Sequence, residues 1–203
     1  MTSSPAYTRA AILASSLAIL SPVSAGALTP DPFNLEPHSP ERLTSDSKAR
    51  AIARGKYLVN STGCHLCHTP KKMGRQGPES DMSRMLSGHP ETLQMLPPPQ
   101  LPEKPWVGVS AASSTAWSGP WGVSYTANIT PDPDTGLGRW TLRDFVDTFQ
   151  TGRRMGRGRK VLPPMPTSAY KNFSDEDLAQ IYRYLQSIPA VRNRVPEPVA
   201  LAG

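Results

Sequence analysis

The two cysteines of this 203-residue chain lie in the run Cys64-His65-Leu66-Cys67-His68. Two thiols separated by two residues and followed at once by a histidine are typical of a c-type haem attachment site. One helical turn presents both sulfurs to the same porphyrin edge, where they bond to the vinyl groups, and the next side chain reaches the iron. The sequence therefore predicts covalent haem at Cys64 and Cys67, with His68 as the proximal iron ligand.

Other uses of a C-x-x-C pair are a thioredoxin-like redox pair, a strained disulfide and half of a zinc site. The zinc alternative needs a second pair of ligands, whereas His38 and His89, the histidines outside the motif, each stand alone in Pro-rich surroundings. The redox alternative lacks the βαβ pattern that usually accompanies it. Haem attachment is therefore the hypothesis that the remaining sequence has to support.

A sixth iron ligand is needed if the site carries electrons, because an iron bound on one side only stays open to small molecules. A thioether sulfur commonly fills that position and raises the reduction potential. The candidates are the methionines other than Met1, namely Met73, Met82, Met85, Met95, Met155 and Met165. Met165 is the best placed, since the prolines of Leu162-Pro163-Pro164-Met165-Pro166 stiffen an extended loop. We predict Met165 as the distal ligand, with Met155 second and an open site as the remaining alternative.

Two amphipathic helices are predicted at the two ends of the haem region. The first begins near Ser45 or Ser47 and runs into the motif, and the last begins after Ser174 and stops at Pro189. Gly55 inside the first helix costs about 1 kcal/mol relative to alanine. We therefore expect a close helix crossing at Gly55, with Ile181 or Tyr184 of the last helix packed against it.

A third amphipathic helix is predicted between Thr141, which has capping-box spacing to Asp144, and Gly152. The segment that follows, residues 153–160, is glycine-rich and carries five Arg or Lys residues. We expect a solvated loop there, with a surface that docks a partner as the alternative.

Composition assigns the rest of the chain to arms and loops. The 23 prolines, about twice the average usage, gather in three places. We expect a Pro-rich arm over residues 28–44, a haem domain over 45–190 and a Pro-rich tail over 191–203. The formal charge of +6 favours acidic partners, yet no Lys/Arg run resembles a nucleic-acid-binding arm, so no nucleic acid is expected.

Residues 71–120 interrupt the haem domain as a long inserted loop. They are rich in Pro, Ser, Gly and Met, and a short helix is expected only around residues 79–86. A loop of this length is uncommon unless it is functional or packs upon itself. Trp106, Trp117 and Trp121 predict that this loop packs, over a haem edge, onto a partner or as core.

The N-terminus has the pattern of a secretory signal peptide. Arg9 precedes an apolar stretch over residues 10–20, and small residues then allow cleavage after Ala25 or Ala27. The apolar stretch is too short to span a bilayer, and no transmembrane segment is expected in the mature chain. We therefore expect residues 1–27 to be removed and the protein to be periplasmic.

The order of these features resembles class I cytochromes c. The haem motif follows the first helix, Trp140 precedes the middle helix, and the Pro-flanked Met165 precedes the last one. The resemblance covers about residues 45–189, apart from the insertion. It implies an all-α fold of three to five helices around one covalently bound haem c, with His68 and Met165 as axial ligands.

The same resemblance implies contacts to the haem propionates. Trp140 is similar to the family's propionate-bonding tryptophan, and Tyr125 or Asn128 would join it there. The run from Asn128 to Gly138, with Pro164-Met165-Pro166, is more narrowly similar to the cytochrome c modules of bacterial periplasmic dehydrogenases. Those modules often carry several haem motifs and a C-terminal membrane helix, whereas this sequence carries one motif and a Pro-rich tail. This difference favours a soluble single-haem carrier.

The sequence thus predicts an electron carrier rather than an enzyme. It would move one electron between a periplasmic dehydrogenase or membrane complex and a downstream acceptor. One alternative is a cytochrome subunit that is stably held in a dehydrogenase complex through the tryptophan-bearing loop and residues 153–160. The other is a haem enzyme or gas sensor with an open distal site.

Overall fold

The computed structural model describes residues 44–99 and 106–200. The predicted signal peptide and all but Thr44 of the predicted N-terminal arm lie outside these ranges. The described part contains five α-helices: α1 (Ser45–Ser61), α2 (Cys64–His68), α3 (Leu142–Thr151), α4 (Thr167–Tyr170) and α5 (Asp175–Leu185). It also contains two small antiparallel sheets, formed by β1 (Lys71–Gly74) with β2 (Gly77–Ser80), and by β3 (Val109–Ser110), β4 (Ala116–Gly119) and β5 (Gly122–Tyr125).

The crossing of α1 and α5 is the contact that the sequence predicted at Gly55. A β-carbon on Gly55 would overlap the backbone carbonyl of Gln180 and would lie 2.8 Å from Cβ of Tyr184. Only glycine permits this approach of the two backbones. The predicted packing of Tyr184 against Gly55 is therefore confirmed, and it fixes the helix that leads into the haem motif.

The predicted caps of α3 and α5 are also confirmed. Thr141 and Asp144 form a reciprocal capping box, in which the Asp144 amide donates to Thr141 Oγ1 at 3.1 Å and the Thr141 amide donates to Asp144 Oδ2 at 3.0 Å. The Asp177 amide donates to Ser174 Oγ at 3.0 Å. These bonds satisfy amides that the first helical turn leaves without a partner, and so they set where each helix begins.

The hydrophobic core lies among α1, α3 and α5. Its buried members are Leu58, Val59, Leu86, Leu137, Phe145, Leu178, Ile181, Tyr184 and Leu185. Leu86 comes from the insertion and Leu137 from the turn-rich segment before α3. Both irregular segments are thus packed onto the helices, and Cys64 at the start of α2 contacts the same core.

The all-α expectation is met only in part, because both sheets lie wholly or largely within the insertion. The helix expected over residues 79–86 is wrong. Strand β2 ends at Ser80, and a 3₁₀ turn follows at Met82–Arg84. The strands are two to four residues long and rich in Gly and Ser, so they lack the alternation that would predict a strand.

The described part of the predicted tail is held against the insertion. The Asn193 side chain is fully buried, and its amide group donates to the carbonyls of Ser87 at 2.7 Å and His89 at 2.8 Å. Further along, Val199 and Val123 exchange two backbone hydrogen bonds of 2.8 and 2.9 Å. Val199 therefore pairs with strand β5, and this pairing attaches the tail to the three-stranded sheet.

Across the described ranges, no helix is both long enough and apolar enough to cross a membrane.

Candidate functional site

Helix α2 presents the motif as one short turn. Cys64 and Cys67 are half-buried free thiols. Burial raises the pKa of both thiols above their ordinary value. Reactive redox cysteines need a lowered pKa, because the thiolate is their nucleophile. The surroundings of this pair therefore do not favour the thioredoxin-like alternative.

His68 ends the turn with a defined tautomer. Its Nδ1 lies 2.8 Å from the carbonyl oxygen of Ala127, which only accepts, so Nδ1–H is the donor. Burial lowers the pKa of His68, and the neutral ring with hydrogen on Nδ1 keeps its lone pair on Nε2. A neutral imidazole held at one nitrogen by a backbone carbonyl is the usual state of a metal-binding histidine.

The position of the Ala127 carbonyl depends on Gly88. The Gly88 amide donates to the carbonyl of His68 at 2.8 Å. Gly88 has φ +76°, and a β-carbon there would collide with the carbonyls of Thr126 and Ala127. Gly88 contacts the backbone of His68, and Ala127 contacts its side chain. Because Gly88 has no side chain, these two contacting segments lie directly against each other.

The Met165 segment is attached at both ends to the elements around α2. On one side of Met165, Ser124 Oγ of strand β5 donates to the Pro163 carbonyl at 2.6 Å. On the other side, the Tyr170 hydroxyl in α4 donates to the Thr62 carbonyl at 2.8 Å, two residues before Cys64. Met165 itself is half-buried. Both predicted axial ligands therefore belong to one connected set of contacts.

Strand β5 and the residues directly after it link the Met165 segment to His68. Ser124 contacts the segment before Met165, and Ala127, three residues later, contacts His68. Three residues extend over at most about 11 Å. One short stretch of backbone thus contacts both the histidine helix and the methionine loop.

The predicted propionate ligands have different surroundings. Tyr125 packs against buried His89 with the two rings tilted by 52° and their centroids 4.8 Å apart. Trp140 is half-buried against the core, and its carbonyl accepts a hydrogen bond from Tyr182. None of the described hydrogen bonds joins Trp140 to residues 124–128. The structure thus brings Tyr125 and Asn128 onto the segment that contacts His68 and leaves Trp140 on a separate one.

Asn128 uses both ends of its side chain inside the protein. Its amide group donates to Thr135 Oγ1 at 3.1 Å and to the Val191 carbonyl at 2.8 Å. Its oxygen accepts from the amide and the hydroxyl of Thr130 at 3.0 and 2.8 Å. These bonds make Asn128 a brace between the tail and the segment that contacts His68.

Two indole groups, in the insertion and directly after it, lack protein hydrogen-bond acceptors. Among the described residues, the Nε1–H groups of Trp117 and Trp121 are buried with no protein partner. Trp117 pairs in register with Ser124, and such cross-strand neighbours share one face of a sheet. Trp117 therefore lies on the face whose serine contacts the Met165 segment.

The donor set fits a haem. Two thiols and a neutral imidazole stand on one turn, a thioether lies in a segment attached to the same elements, and two buried N–H donors have no protein acceptor. A zinc site has less support, because the described residues contain no group of three or more His, Cys, Asp or Glu side chains able to hold a metal ion. His89 instead contacts Thr115 Oγ1 and the Leu93 carbonyl.

Sequence reasoning missed the groups that position the motif. The Ala127 carbonyl holds the His68 ring, and the Ser124 hydroxyl holds the segment before Met165. Neither an alanine nor a serine at these positions predicts such a contact from the sequence. Tyr170, five residues after Met165, had a weak signal as an aromatic residue close to the predicted ligand. Gly88 was also detectable in principle, since glycine often marks a close backbone approach.

Several proteins of bacterial dehydrogenases are similar to this chain. It is 35% identical over 141 residues to the cytochrome c subunit of a quinone alcohol dehydrogenase from Gluconacetobacter polyoxogenes, covering 70% of this chain and 22% of the relative. It is 27% identical over 174 residues to the fructose dehydrogenase cytochrome subunit of Gluconobacter japonicus, covering 83% and 29%. It is 27% identical over 133 residues to the gluconate 2-dehydrogenase cytochrome c subunit of Pantoea cypripedii, covering 66% and 22%.

The chain thus spans between 22% and 29% of the length of these relatives. No protein-family model matches it. Alignments that cover 83% and 70% of this chain necessarily include Cys64 to His68, so the similarity to these two relatives concerns the region that contains the motif.

Proposed function

Because this chain is related to the cytochrome c subunits of bacterial dehydrogenases, we propose that it transfers single electrons through one haem c. The observation that carries the proposal is the α2 turn. It places two thiols beside a buried imidazole whose Nδ1–H is bound to the Ala127 carbonyl. The proposed fold is that of class I cytochromes c, with the two small sheets as additions.

Each residue of the site has a separate task in this proposal. Cys64 and Cys67 would hold the haem by covalent bonds, and His68 would bind the iron through Nε2. Met165 would supply the second iron ligand, since its segment is tied to β5 and to Thr62. When bound, the haem would supply a ferric–ferrous couple that exchanges one electron without breaking a substrate bond.

The propionate contacts extend beyond the sequence-based candidates. Trp117 and Trp121 would donate their buried indole N–H groups to propionate oxygens, which supply the acceptors that the protein does not. Trp140 and Tyr125 remain candidates. Asn128 would act indirectly, by bracing the segment that contacts His68.

The carrier role and the compartment belong to the same proposal. The signal-peptide pattern of residues 1–27 supports export to the periplasm, where an exported dehydrogenase or a membrane complex would be the electron donor. We propose electron transfer rather than catalysis, which is in line with relatives named as cytochrome subunits of dehydrogenases.

Voltammetry of the purified exported protein tests this function. We expect a reversible one-electron wave whose midpoint agrees with an optical redox titration of the same sample. A Cys64→Ala/Cys67→Ala variant is the control, and it should be isolated without covalent haem. A haem-loaded protein that shows no reversible wave would overturn the proposal.

A second candidate is a subunit held stably in a dehydrogenase complex. The names of the three relatives favour it, since each is a cytochrome subunit of a dehydrogenase. Gel filtration of a native extract separates the candidates. A carrier elutes with its haem near the mass of the free chain, whereas a stable subunit elutes with its haem at the mass of a complex.

A further inference from the structure

Residues 153–160, the basic loop, are largely exposed to solvent as predicted, and their backbone is ordered. Arg153 and Lys160 pair as an antiparallel bridge, and the Arg154 amide donates to the Arg159 carbonyl at 2.9 Å. The Met155 amide inside the loop donates to Thr148 Oγ1 of α3 at 2.9 Å. The loop thus holds its charged side chains on a fixed backbone, although every charged residue in it is exposed.

The cations of the basic loop are only partly neutralised. Arg157 lies 3.5 Å from Asp144, and Arg159 lies 3.7 Å from Glu197. Within the described ranges no ion pair includes Arg153 or Lys160. The loop therefore presents net positive charge with acidic groups at its rim.

The basic loop lies next to the Met165 segment along the chain and contacts Trp140, a candidate propionate ligand. Its base is closed by a hydrogen bond from the Val161 amide to the Gly152 carbonyl at 2.9 Å, four residues before Met165. The Arg154 guanidinium lies 5.4 Å from the centroid of the Trp140 ring, a distance suited to a cation–π contact. A partner seated on the loop would therefore lie beside the distal segment.

We propose that the basic loop is the docking surface for an acidic face of a redox protein, an inference that rests on the proposed electron-transfer function. Four of its five cations are arginines, which pair with carboxylates in a planar, bidentate geometry. A bilayer is the less suitable occupant. The loop exposes no large apolar side chain for insertion, since Met155 is half-buried, and the rim carboxylates Asp144 and Glu197 disfavour a uniformly anionic surface.

Stopped-flow electron exchange with an acidic blue-copper protein, used as the probe, tests the proposal. Two variants of the haem-loaded chain are compared with the wild type. Arg153→Gln/Lys160→Gln removes two cations from the loop, and Lys48→Gln/Lys56→Gln removes two exposed cations from α1, which shares no described hydrogen bond with the loop. Both variants change the net charge equally, so only position distinguishes them.

We expect the loop variant to react about fivefold more slowly at low ionic strength, with a flatter salt dependence, while the α1 variant stays within about twofold of wild type. Equal slowing of both variants would overturn the proposal, since net charge alone would then explain it. Binding of the wild type to phosphatidylserine vesicles, lost only in the loop variant, would also overturn it in favour of a lipid surface.

The visible spectrum and midpoint potential of each variant are measured first. A wild-type protein without haem, or without a reversible wave, refutes the electron-transfer function itself. If all samples have matching spectra and potentials and react equally with the probe, electron transfer stands and only the docking proposal fails.

Discussion

Met165 and Met155 are the two candidates for the distal iron ligand. Met165 lies in a segment anchored to β5 through Pro163 and to Thr62 through Tyr170. Met155 lies inside the basic loop in a left-handed conformation, with φ +53°, and its amide is bound to α3. The contacts therefore attach Met165, and not Met155, to the elements around His68.

The substitution Met165→Ala is expected to remove the distal ligand while leaving the covalent haem in place. The ferric protein should lose its weak far-red sulfur-to-iron band and bind carbon monoxide rapidly when reduced. The midpoint potential should fall by on the order of 0.2 V, part of the ~0.8 V range that axial ligands cover.

Met155→Ala is the matched control and should keep the band, the potential and the slow reaction with carbon monoxide. The assignment would be reversed if Met155→Ala lost the band and Met165→Ala kept it. Rapid carbon monoxide binding to the wild type would instead support the open-site alternative.

The crossing of helices α1 and α5 depends on the absence of a side chain at Gly55. Gly55→Ala places a β-carbon onto the Gln180 carbonyl, which belongs to the backbone and cannot rotate away. Alanine would normally stabilise a helix interior by about 1 kcal/mol, but overpacking should dominate and lower the free energy of unfolding by about 2 to 3 kcal/mol. Urea denaturation followed by circular dichroism measures the change.

Ala53→Gly, at an exposed position of the same helix, is the comparison for Gly55→Ala. It should cost about 1 kcal/mol through helix propensity alone. If Gly55→Ala were neutral or stabilising, the close crossing would be wrong.

The turn-rich segment between β5 and α3 depends on the ionised side chain of Asp132. Its Oδ1 accepts from the amide and the hydroxyl of Thr135 at 2.7 and 2.6 Å and from the Asp134 amide at 3.2 Å. The Thr135 hydroxyl is the main cause that lowers the pKa of Asp132. The charged form therefore stabilises the fold above the ordinary Asp pKa of about 3.9, and this contribution disappears as the pH falls through the lower folded-state value.

Asp132→Asn should thus unfold at lower urea concentration than the wild type at pH 7, and the two should converge as the pH falls from about 3.9 through the lower folded-state pKa of Asp132. Asp134→Asn, whose exposed carboxylate pairs with exposed Arg139, should change stability by less than about 0.5 kcal/mol at pH 7. A difference between Asp132→Asn and wild type that stayed constant with pH would contradict the role given to the charge.

Helices could be read from the sequence because each carried its own local signals. The apolar spacing of α1, α3 and α5, the capping residues Thr141 and Ser174, and Gly55 all act within a few turns of the chain. The strands of the insertion had no such signal, since they are short and pair through backbone groups. The Ala127 carbonyl that contacts His68 was hidden for the same reason, because any residue supplies a carbonyl.

Asn193 joins the C-terminal tail to the insertion across a long stretch of the chain. Besides donating to Ser87 and His89, its side-chain oxygen accepts from Arg84 Nη2 at 2.8 Å and from the Glu91 amide at 2.9 Å. Asn193 stands in a Pro-rich sequence that predicted a tail outside the haem domain, and only the folded chain brings its four partners together. Long-range contacts of this kind have no pattern in the sequence.

Asn193→Ala should therefore lower the free energy of unfolding by about 3 kcal/mol, because it leaves several buried polar groups without partners. Thermal unfolding followed by circular dichroism provides the measurement. Asn172→Ala is the control, since Asn172 is exposed and makes one long hydrogen bond of 3.4 Å to the Ser168 carbonyl. Equal effects of the two substitutions would show that the tail is not an integral part of the fold.

Intact mass and a pyridine haemochrome spectrum together test whether Cys64 and Cys67 hold one haem covalently in an exported chain. We predict a denatured chain that starts after Ala25 or Ala27, heavier than its sequence by the mass of one haem. The spectrum should be that of a haem with both vinyl groups saturated. A chain that loses its haem on denaturation, or that has the mass of the bare polypeptide, would contradict covalent attachment.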